Sequence, residues 1–128
     1  MYRQLFTLIA SFLLLANTSL AEPELLMAEE PGCIYCARWN AQIAPIYPKT
    51  GEGKAAKLRR YDTTDPLPDD ITLVRRINFT PTFVLLVDGQ EVSRLEGYPG
   101  EDFFWGLLGE MLKRADIPFD VYQSEDPA

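Results

Sequence analysis

The chain has 128 residues, of which 47% are hydrophobic, and it carries 12 Lys and Arg against 19 Asp and Glu. This length fits a single globular domain. The absence of histidine excludes a Ser-His-Asp or Cys-His nucleophile system, and two cysteines are too few for a four-thiolate zinc site or an iron-sulfur cluster. The net charge of −7 argues against nucleic acid and anionic membrane surfaces as partners.

Residues 1–21 have the features of a cleaved signal peptide. Arg3 precedes the apolar run Leu5–Ala16, and the small residues Ser19 and Ala21 stand where signal peptidase cuts. The run is too short to span a bilayer as a stable helix. We therefore expect cleavage after Ala21 and a soluble, exported protein with a net charge of −8, since one Arg and no acidic residue are removed. The alternative is an N-terminal membrane anchor.

The next segments predict a strand followed by a helix. Glu24–Glu29 is a short apolar run that predicts a strand ahead of a Pro-Gly breaker. Beyond it, Pro45 and Pro48 end a helix that begins at Cys33, and Lys49–Lys54 is predicted to be a loop. The helix is indicated by apolar residues at three- and four-residue spacing, which are Cys36, Trp39, Ile43 and Ile46.

A second strand and a second helix are predicted in the middle of the chain, between residues 56 and 77. Ala56–Asp62 has the composition of a strand. Asp69 or Asp70 can cap a helix after it, because acidic side chains accept hydrogen bonds from the first free backbone N–H groups. The stripe that indicates this helix consists of Ile71, Val74 and Ile77.

The C-terminal half predicts a hairpin and a last helix. Thr82–Val87 and Glu91–Leu95 flank an Asp-Gly pair, which is typical of a hairpin turn. The last helix runs to about Ala115 and is indicated by Phe103, Phe104, Leu107, Leu108, Met111 and Leu112. The order strand, helix, strand, helix, strand, strand, helix predicts an α/β domain over residues 22–115, with a mixed four-stranded sheet flanked by helices. Residues 116–128 are expected to form an acidic, loosely packed tail.

Both cysteines lie in Cys33-Ile34-Tyr35-Cys36, where the first strand gives way to a helix. Free N–H groups and the helix dipole stabilise a thiolate at a helix N-terminus, and the thiolate is the form that attacks a disulfide. The sequence therefore predicts Cys33 as the nucleophile and Cys36, one turn further in, as the resolving thiol.

Other interpretations of the cysteine pair stay open at this point. In a secreted protein it could be a structural disulfide, although a loop of four residues would contribute only about 2 kcal/mol in the chain-entropy model. It could also hold Cu(I), since soft thiolates suit that ion. A binding or regulatory module with a non-catalytic disulfide is the main alternative to an enzyme.

Thr80-Pro81 precedes the strand of the hairpin and is the second candidate site. X-Pro bonds are the ones that tolerate cis geometry. If Pro81 is cis, its ring can pack beside the sulfur of Cys33, while the Thr80 backbone can bind an extended substrate segment.

These features together resemble the thioredoxin superfamily over about residues 24–115. The matching pieces, in order, are CIYC after a strand, the helix with its downstream Ile-Ala-Pro, FTPTFVLLVDG with its hairpin partner, and Gly97 before the last helix. The resemblance implies a thioredoxin fold, Cys33 as attacking thiol, Cys36 as resolving thiol and Pro81 as the cis-proline. More narrowly, PGCIYCARWNAQIAPIYP and GYPGEDFFWGLL are similar to the small periplasmic thioredoxins of bacterial sulfur-oxidation (Sox) systems, of the SoxS type. That family is associated with keeping the cysteine of a sulfur-carrier protein reduced.

Some positions depart from the ordinary thioredoxin pattern. Gly32 stands where those proteins have Trp, and Ile34-Tyr35 replaces Gly-Pro. Tyr35 is similar to the Tyr of the Pro-Tyr pair in glutaredoxins, and it joins Thr80 and Pro81 as a candidate substrate-binding residue. Met27 occupies the place of the buried acid, so proton transfer to Cys36 would fall to water or to one of two nearby carboxylates, Glu29 or Glu30.

The residues around the cysteines also favour a reductant. Strong oxidants stabilise a very low-pKa thiolate, whereas Ile34 and Tyr35 are uncharged and two carboxylates precede the motif. We therefore expect a periplasmic oxidoreductase with two partners, a membrane-embedded thiol electron donor and an oxidised exported client protein. No cofactor, metal ion, nucleic acid or stable membrane association is expected. No segment for dimerisation stands out, which favours a monomer.

Overall fold

A computed structural model of the chain describes residues 22–121, so the predicted signal peptide lies outside the described residues. One mixed sheet contains the strands β1 (Glu24–Glu29), β2 (Lys57–Asp62), β3 (Thr82–Val87) and β4 (Gln90–Glu96), in the spatial order β2-β1-β3-β4. β1 is parallel to β2 and antiparallel to β3, which is antiparallel to β4. The α-helices are α1 (Ile34–Gln42), α2 (Gly51–Ala55) and α3 (Glu101–Arg114), and a short 3-10 helix spans Tyr47–Lys49 between α1 and α2. None of these helices is long and apolar enough to cross a membrane.

The predicted α/β class, the four-stranded sheet and all four strands are confirmed. The central strands β1 and β3 are almost wholly buried, as their apolar sequences require, whereas the edge strands β2 and β4 are partly exposed. The β3–β4 turn has Asp88 and Gly89 at φ 53° and 73°. Two successive positive φ angles match the right-handed twist of a hairpin, so the turn predicted from the Asp-Gly pair is confirmed.

One face of the sheet carries the main core, under α1 and α3. Trp39 of α1 is fully buried, and its ring centroid lies 5.3 Å from that of Phe83 and 5.8 Å from that of Phe104. The last helix is confirmed, but its apolar stripe is narrower than predicted: Phe103 and Leu107 are exposed. The α3 side chains that enter the core are Phe104, Leu108, Met111 and Leu112.

The opposite face is covered by residues 63–81, here called the 63–81 loop, and the helix predicted from Asp69 or Asp70 does not form. Thr72 instead pairs with β4: its N–H donates to the carbonyl of Gly89, and its carbonyl accepts from the N–H of Glu91. Ile71 enters a second core cluster with Leu26, Val84 and Leu86, whereas Val74 is 76% exposed. The prediction of a helix from these apolar residues is wrong, because backbone pairing to β4 outweighs the weak local preference for a helix.

The loop predicted at Lys49–Lys54 is also wrong in part, because α2 forms there. The hydroxyl of Thr50 accepts a hydrogen bond from the N–H of Gly53 at 3.0 Å and so caps the helix. Gly53 packs so closely on the carbonyl of Tyr47 that a Cβ atom at this position would overlap it. The two glycines indicated a loop, but they serve close packing instead.

Residues after α3 return to the domain. Ile117 and Phe119, which the sequence assigned to the tail, pack against the main core cluster. The backbone of Asp120 lies against Gly51 at the start of α2, where a Cβ atom would overlap the Asp120 carbonyl. The chain as far as these residues therefore adds to the folded unit.

Candidate functional site

Cys33 and Cys36 form a disulfide at the N-terminus of α1, with their Cα atoms 5.2 Å apart. Cys33 is the N-cap residue, with extended φ and ψ, and its Sγ accepts a hydrogen bond from the N–H of Cys36 at 3.1 Å. Its carbonyl accepts from the N–H of Ala37 at 3.1 Å and so begins the helix. The sequence predicted this placement, and local geometry produces it, since every contact spans three or four residues.

The two sulfur positions differ in access to solvent. Cys36 is 3% exposed and belongs to the main core cluster, whereas Cys33 is only partly buried. The residues between them point outward, with Ile34 64% and Tyr35 51% exposed. Cys33 is therefore the more accessible of the two sulfurs, and the N–H of Cys36 is directed at it.

The second candidate element, Thr80-Pro81, is linked to the first through Glu30. The Thr80–Pro81 bond is cis. The hydroxyl of Thr80 donates to a carboxylate oxygen of Glu30 at 2.9 Å, and the N–H of Cys33 donates to the carbonyl of Glu30 at 3.3 Å. The carbonyl of Pro81 accepts from the N–H of Gly97 at 2.7 Å, and Gly97 has φ +88°, a conformation that favours glycine. The chain thus brings together three segments that are far apart in sequence.

Tyr35 stands between two hollows, each of about 420 Å³. The guanidinium of Arg38 lies 5.4 Å from the centroid of the Tyr35 ring, within the range of a cation–π contact. The first hollow is lined by Tyr35, Leu95, Glu96, Gly97, Tyr98, Pro99 and Leu107. The second is lined by Tyr35, Arg38, Gln42, Tyr98, Pro99, Gly100 and Glu101. A third, of about 330 Å³, is lined by Phe79, Thr80, Glu96 and Gly97.

The two carboxylates considered for proton transfer are both held by hydrogen bonds. Glu29 accepts from Arg60 at 2.6 Å and from Asn40 at 3.4 Å, whereas Glu30 binds Thr80. Met27, at the place of the usual buried acid, is fully buried, and its sulfur lies 3.7 Å from a guanidinium nitrogen of Arg60. A role for Glu29 or Glu30 in moving a proton to Cys36 stays a prediction.

Sequence reasoning missed three contributors to the site surface. Exposed Phe79 lines the third hollow, and Arg38 covers one face of Tyr35. The sequence indicates Glu30 only as a candidate proton carrier, whereas in the structure it links the cysteine motif to the cis-proline segment. A separation of 50 residues between Glu30 and Thr80 leaves no local pattern from which that link could be found.

Three features together define a thioredoxin fold. They are the mixed four-stranded sheet, the cysteine pair at a helix N-terminus and the cis-proline ahead of β3. No protein-family model matches the chain, and no curated protein matches it. Among solved structures, the chain is similar to the reduced form of the periplasmic thioredoxin SoxS from Paracoccus pantotrophus, with 56% sequence identity and a TM-score of 0.72. The match covers 73% of this chain and 99% of that chain.

At this identity and coverage, the chain belongs to the thioredoxin superfamily and to the family of the periplasmic thioredoxin SoxS. It is a thiol–disulfide oxidoreductase. The cysteine pair that such an activity needs is present and bonded in the structure.

Proposed function

We propose that this protein is a periplasmic reductant that keeps cysteines of exported client proteins reduced, a sulfur-carrier protein of a Sox system being one such client. The observation that carries the proposal is the pairing of a partly exposed Cys33, capped by the N–H of Cys36, with a Cys36 that is only 3% exposed. The likeness to a periplasmic thioredoxin supports the compartment.

The proposed reaction moves two electrons from this protein to its client. The Cys33 thiolate attacks one sulfur of the client disulfide, forming a mixed disulfide and releasing the other client sulfur as a thiolate. Cys36 then loses its proton and attacks the Cys33 sulfur, which releases the second client thiolate and leaves the Cys33–Cys36 disulfide. The thiolate of Cys33 is stabilised by the N–H of Cys36 and by the N-terminal end of α1.

Substrate binding is proposed for the surface around Tyr35, Thr80 and Pro81. The hollows on both sides of Tyr35 and the exposed rings of Tyr35 and Phe79 provide apolar contact area. The Thr80 segment, held by Glu30, would bind the backbone of an extended client chain that contains the disulfide.

The uncharged residues Ile34 and Tyr35 support a reducing direction, because neither adds a positive charge that would stabilise the thiolate further. Equilibration with dithiothreitol should give a reduction potential nearer thioredoxin, at about −270 mV, than a strong oxidant such as DsbA, at about −120 mV. A value close to the latter would reverse the proposed direction. In the proposed reducing direction, a membrane-embedded thiol donor would reduce the Cys33–Cys36 disulfide again after each reaction. The protein would work as a monomer.

The test is capture of the client by a Cys36→Ser variant in the periplasm. Without its resolving thiol, this variant should accumulate a mixed disulfide through Cys33 that mass spectrometry identifies and reducing agent releases. The matched control is Cys33→Ser, which should capture nothing covalently. If both variants instead retain the client without covalent capture, the protein acts on it as a binding module. In the reduced wild type, iodoacetamide should label Cys33 faster than Cys36.

A further inference from the structure

The 63–81 loop ends with two of the proposed substrate-binding residues, Thr80 and Pro81, yet its middle contains no helix or strand that would hold it in place. Arg75 and Arg76 lie four or five residues before Thr80. Their carbonyls have no partner in a helical turn, because the predicted helix does not form. Both carbonyls are instead bound by a single side chain of β4, that of Arg94.

Arg94 and Glu91 form a buried ion pair with two parallel hydrogen bonds. The Nε of Arg94 donates to one carboxylate oxygen of Glu91 at 2.5 Å, and Nη2 donates to the other at 2.7 Å. The two side chains are 5% and 3% exposed. Such a pair contributes geometric specificity, because the planar guanidinium fits a carboxylate in only a few orientations.

A β-bulge places these two side chains on the same face. Glu91 and Arg94 are three residues apart, so in a regular strand they would point to opposite faces of the sheet. Here Leu85 pairs with Ser93 and Leu86 pairs with Glu91, which leaves Val92 as the extra residue. The bulge therefore turns both charged groups toward the 63–81 loop.

The Glu91–Arg94 pair binds the loop at three backbone groups. Glu91 accepts from the N–H of Val74 at 2.8 Å, and Arg94 donates to the carbonyls of Arg75 and Arg76 at 2.8 and 3.1 Å. Beyond the pair, the side chain of Arg75 extends to Glu96 at 2.6 Å, and Glu96 lines the hollows that flank Gly97.

We propose that Arg94, held by Glu91, is a positioning residue for thiol–disulfide exchange with protein substrates. By fixing residues 74–76, it sets the position of the Phe79–Pro81 segment against which the client chain docks. It touches neither sulfur nor substrate and acts only through the loop. This inference rests on the proposed function, since it needs that segment to bind the client.

The test compares a protein disulfide with a small one in the same variants. Insulin is the protein substrate, and dithiothreitol supplies the electrons. Reduction of insulin requires its chain to dock on the protein, whereas reduction of the small aromatic disulfide DTNB requires only an accessible Cys33. Arg94→Met should raise the KM for insulin about tenfold, because a displaced Phe79–Pro81 segment would bind the insulin chain less tightly. Its kcat for insulin and its rate with DTNB should stay within about twofold of the wild type.

Arg94→Lys is the variant that keeps the measurement possible if Arg94→Met does not fold. It retains a positive charge for Glu91 but cannot form the planar set of hydrogen bonds, so its KM for insulin should rise about threefold. The matched control is Asp70→Asn. Asp70 also lies in the 63–81 loop, and it accepts two hydrogen bonds from Arg59 at an exposed position. Weakening that pair should leave the KM for insulin as in the wild type.

The outcomes separate this inference from the proposed function. An unchanged KM for insulin in folded Arg94→Lys, equal losses with both disulfides, or an equal rise in Asp70→Asn would overturn the positioning role while leaving the oxidoreductase intact. A wild type that reduces neither insulin nor DTNB would overturn the proposed function, and the inference with it.

Discussion

The cysteine motif and the Phe79–Pro81 segment, which are linked through Glu30, are built in different ways. At the N-terminus of α1, the hydrogen bonds to the Cys33 sulfur and carbonyl join residues three and four apart in sequence. The Phe79–Pro81 segment depends instead on distant residues: Glu30 binds Thr80 over 50 residues, and Arg94 binds the loop over 18 and 19. We therefore expect thiol chemistry at Cys33 to be a local property of α1, whereas the proposed client docking would depend on the tertiary structure.

The largest effect is expected when the nucleophile in the cysteine motif, Cys33, is replaced. Cys33→Ser should lower insulin reduction by more than about 10²-fold, because the remaining thiol, Cys36, is only 3% exposed and poorly placed to form the mixed disulfide. The fold should persist, since closing a loop of four residues contributes only about 2 kcal/mol in the chain-entropy model. Activity is measured by insulin turnover and folding by circular dichroism. Residual turnover above one per cent would show that Cys36 can replace Cys33 as nucleophile.

The next largest effect is expected when Arg94, which holds the 63–81 loop through long-range hydrogen bonds, is replaced. Arg94→Met should lower the free energy of unfolding by about 2 to 3 kcal/mol, because the Glu91 carboxylate loses both hydrogen bonds from its cationic partner and keeps the one from the N–H of Val74. The double variant Glu91→Leu with Arg94→Met should recover most of that loss, since neither charge then stays buried alone. Urea unfolding monitored by tryptophan fluorescence gives both values. A single variant as stable as the wild type would mean that the pair does not hold the loop.

The same pair predicts a pH dependence of stability. Burial by itself would raise the pKa of Glu91, but hydrogen bonds from Arg94 and the N–H of Val74 bring that pKa below its ordinary value of 4.5. As the pH falls, the unfolded chain therefore binds a proton at Glu91 before the folded chain does. The stabilisation is complete above the ordinary pKa and is lost as the pH falls through the lowered pKa of the folded state.

Urea midpoints measured between pH 7 and pH 3 should show this loss. In Glu91→Gln the fall with decreasing pH should be shallower than in the wild type, because one carboxylate with a lowered pKa is gone. Asp62 and Asp70, whose pKa values are also lowered, remain in both proteins and act as the internal reference. Parallel curves for the two proteins would contradict the assignment.

The smallest effect concerns the link between the two segments. Thr80→Val removes the hydroxyl that binds Glu30 at an exposed position, so the KM for insulin should rise only about twofold. The alkylation rate of Cys33 should not change, because the hydrogen bond from Cys36 is untouched. Thr80→Ser, which keeps the hydroxyl, should match the wild type. A change in alkylation rate would instead mean that the two segments are coupled chemically.

The sequence was most informative where structure depends on near neighbours. The Asp-Gly turn, the continuous apolar run of β3 and the cysteine pair at the start of α1 each depend on residues within a few positions, and the structure has all of them as predicted. The prediction failed where local preference was weak: Ile71, Val74 and Ile77 have helical spacing, but their segment pairs with β4 instead.

By itself, the sequence determined the fold class, the strands and the placement of Cys33 and Cys36, because hydrophobic periodicity, turn chemistry and helix capping act over a few residues. Only the tertiary structure decided how the 63–81 loop is held and what lies around Tyr35. The carbonyls of that loop bind a side chain of β4 that becomes available through a bulge, and Thr80 binds a carboxylate beyond β1. Such partners are found only after the chain has folded, because these hydrogen bonds join residues that lie 18 to 50 positions apart in sequence.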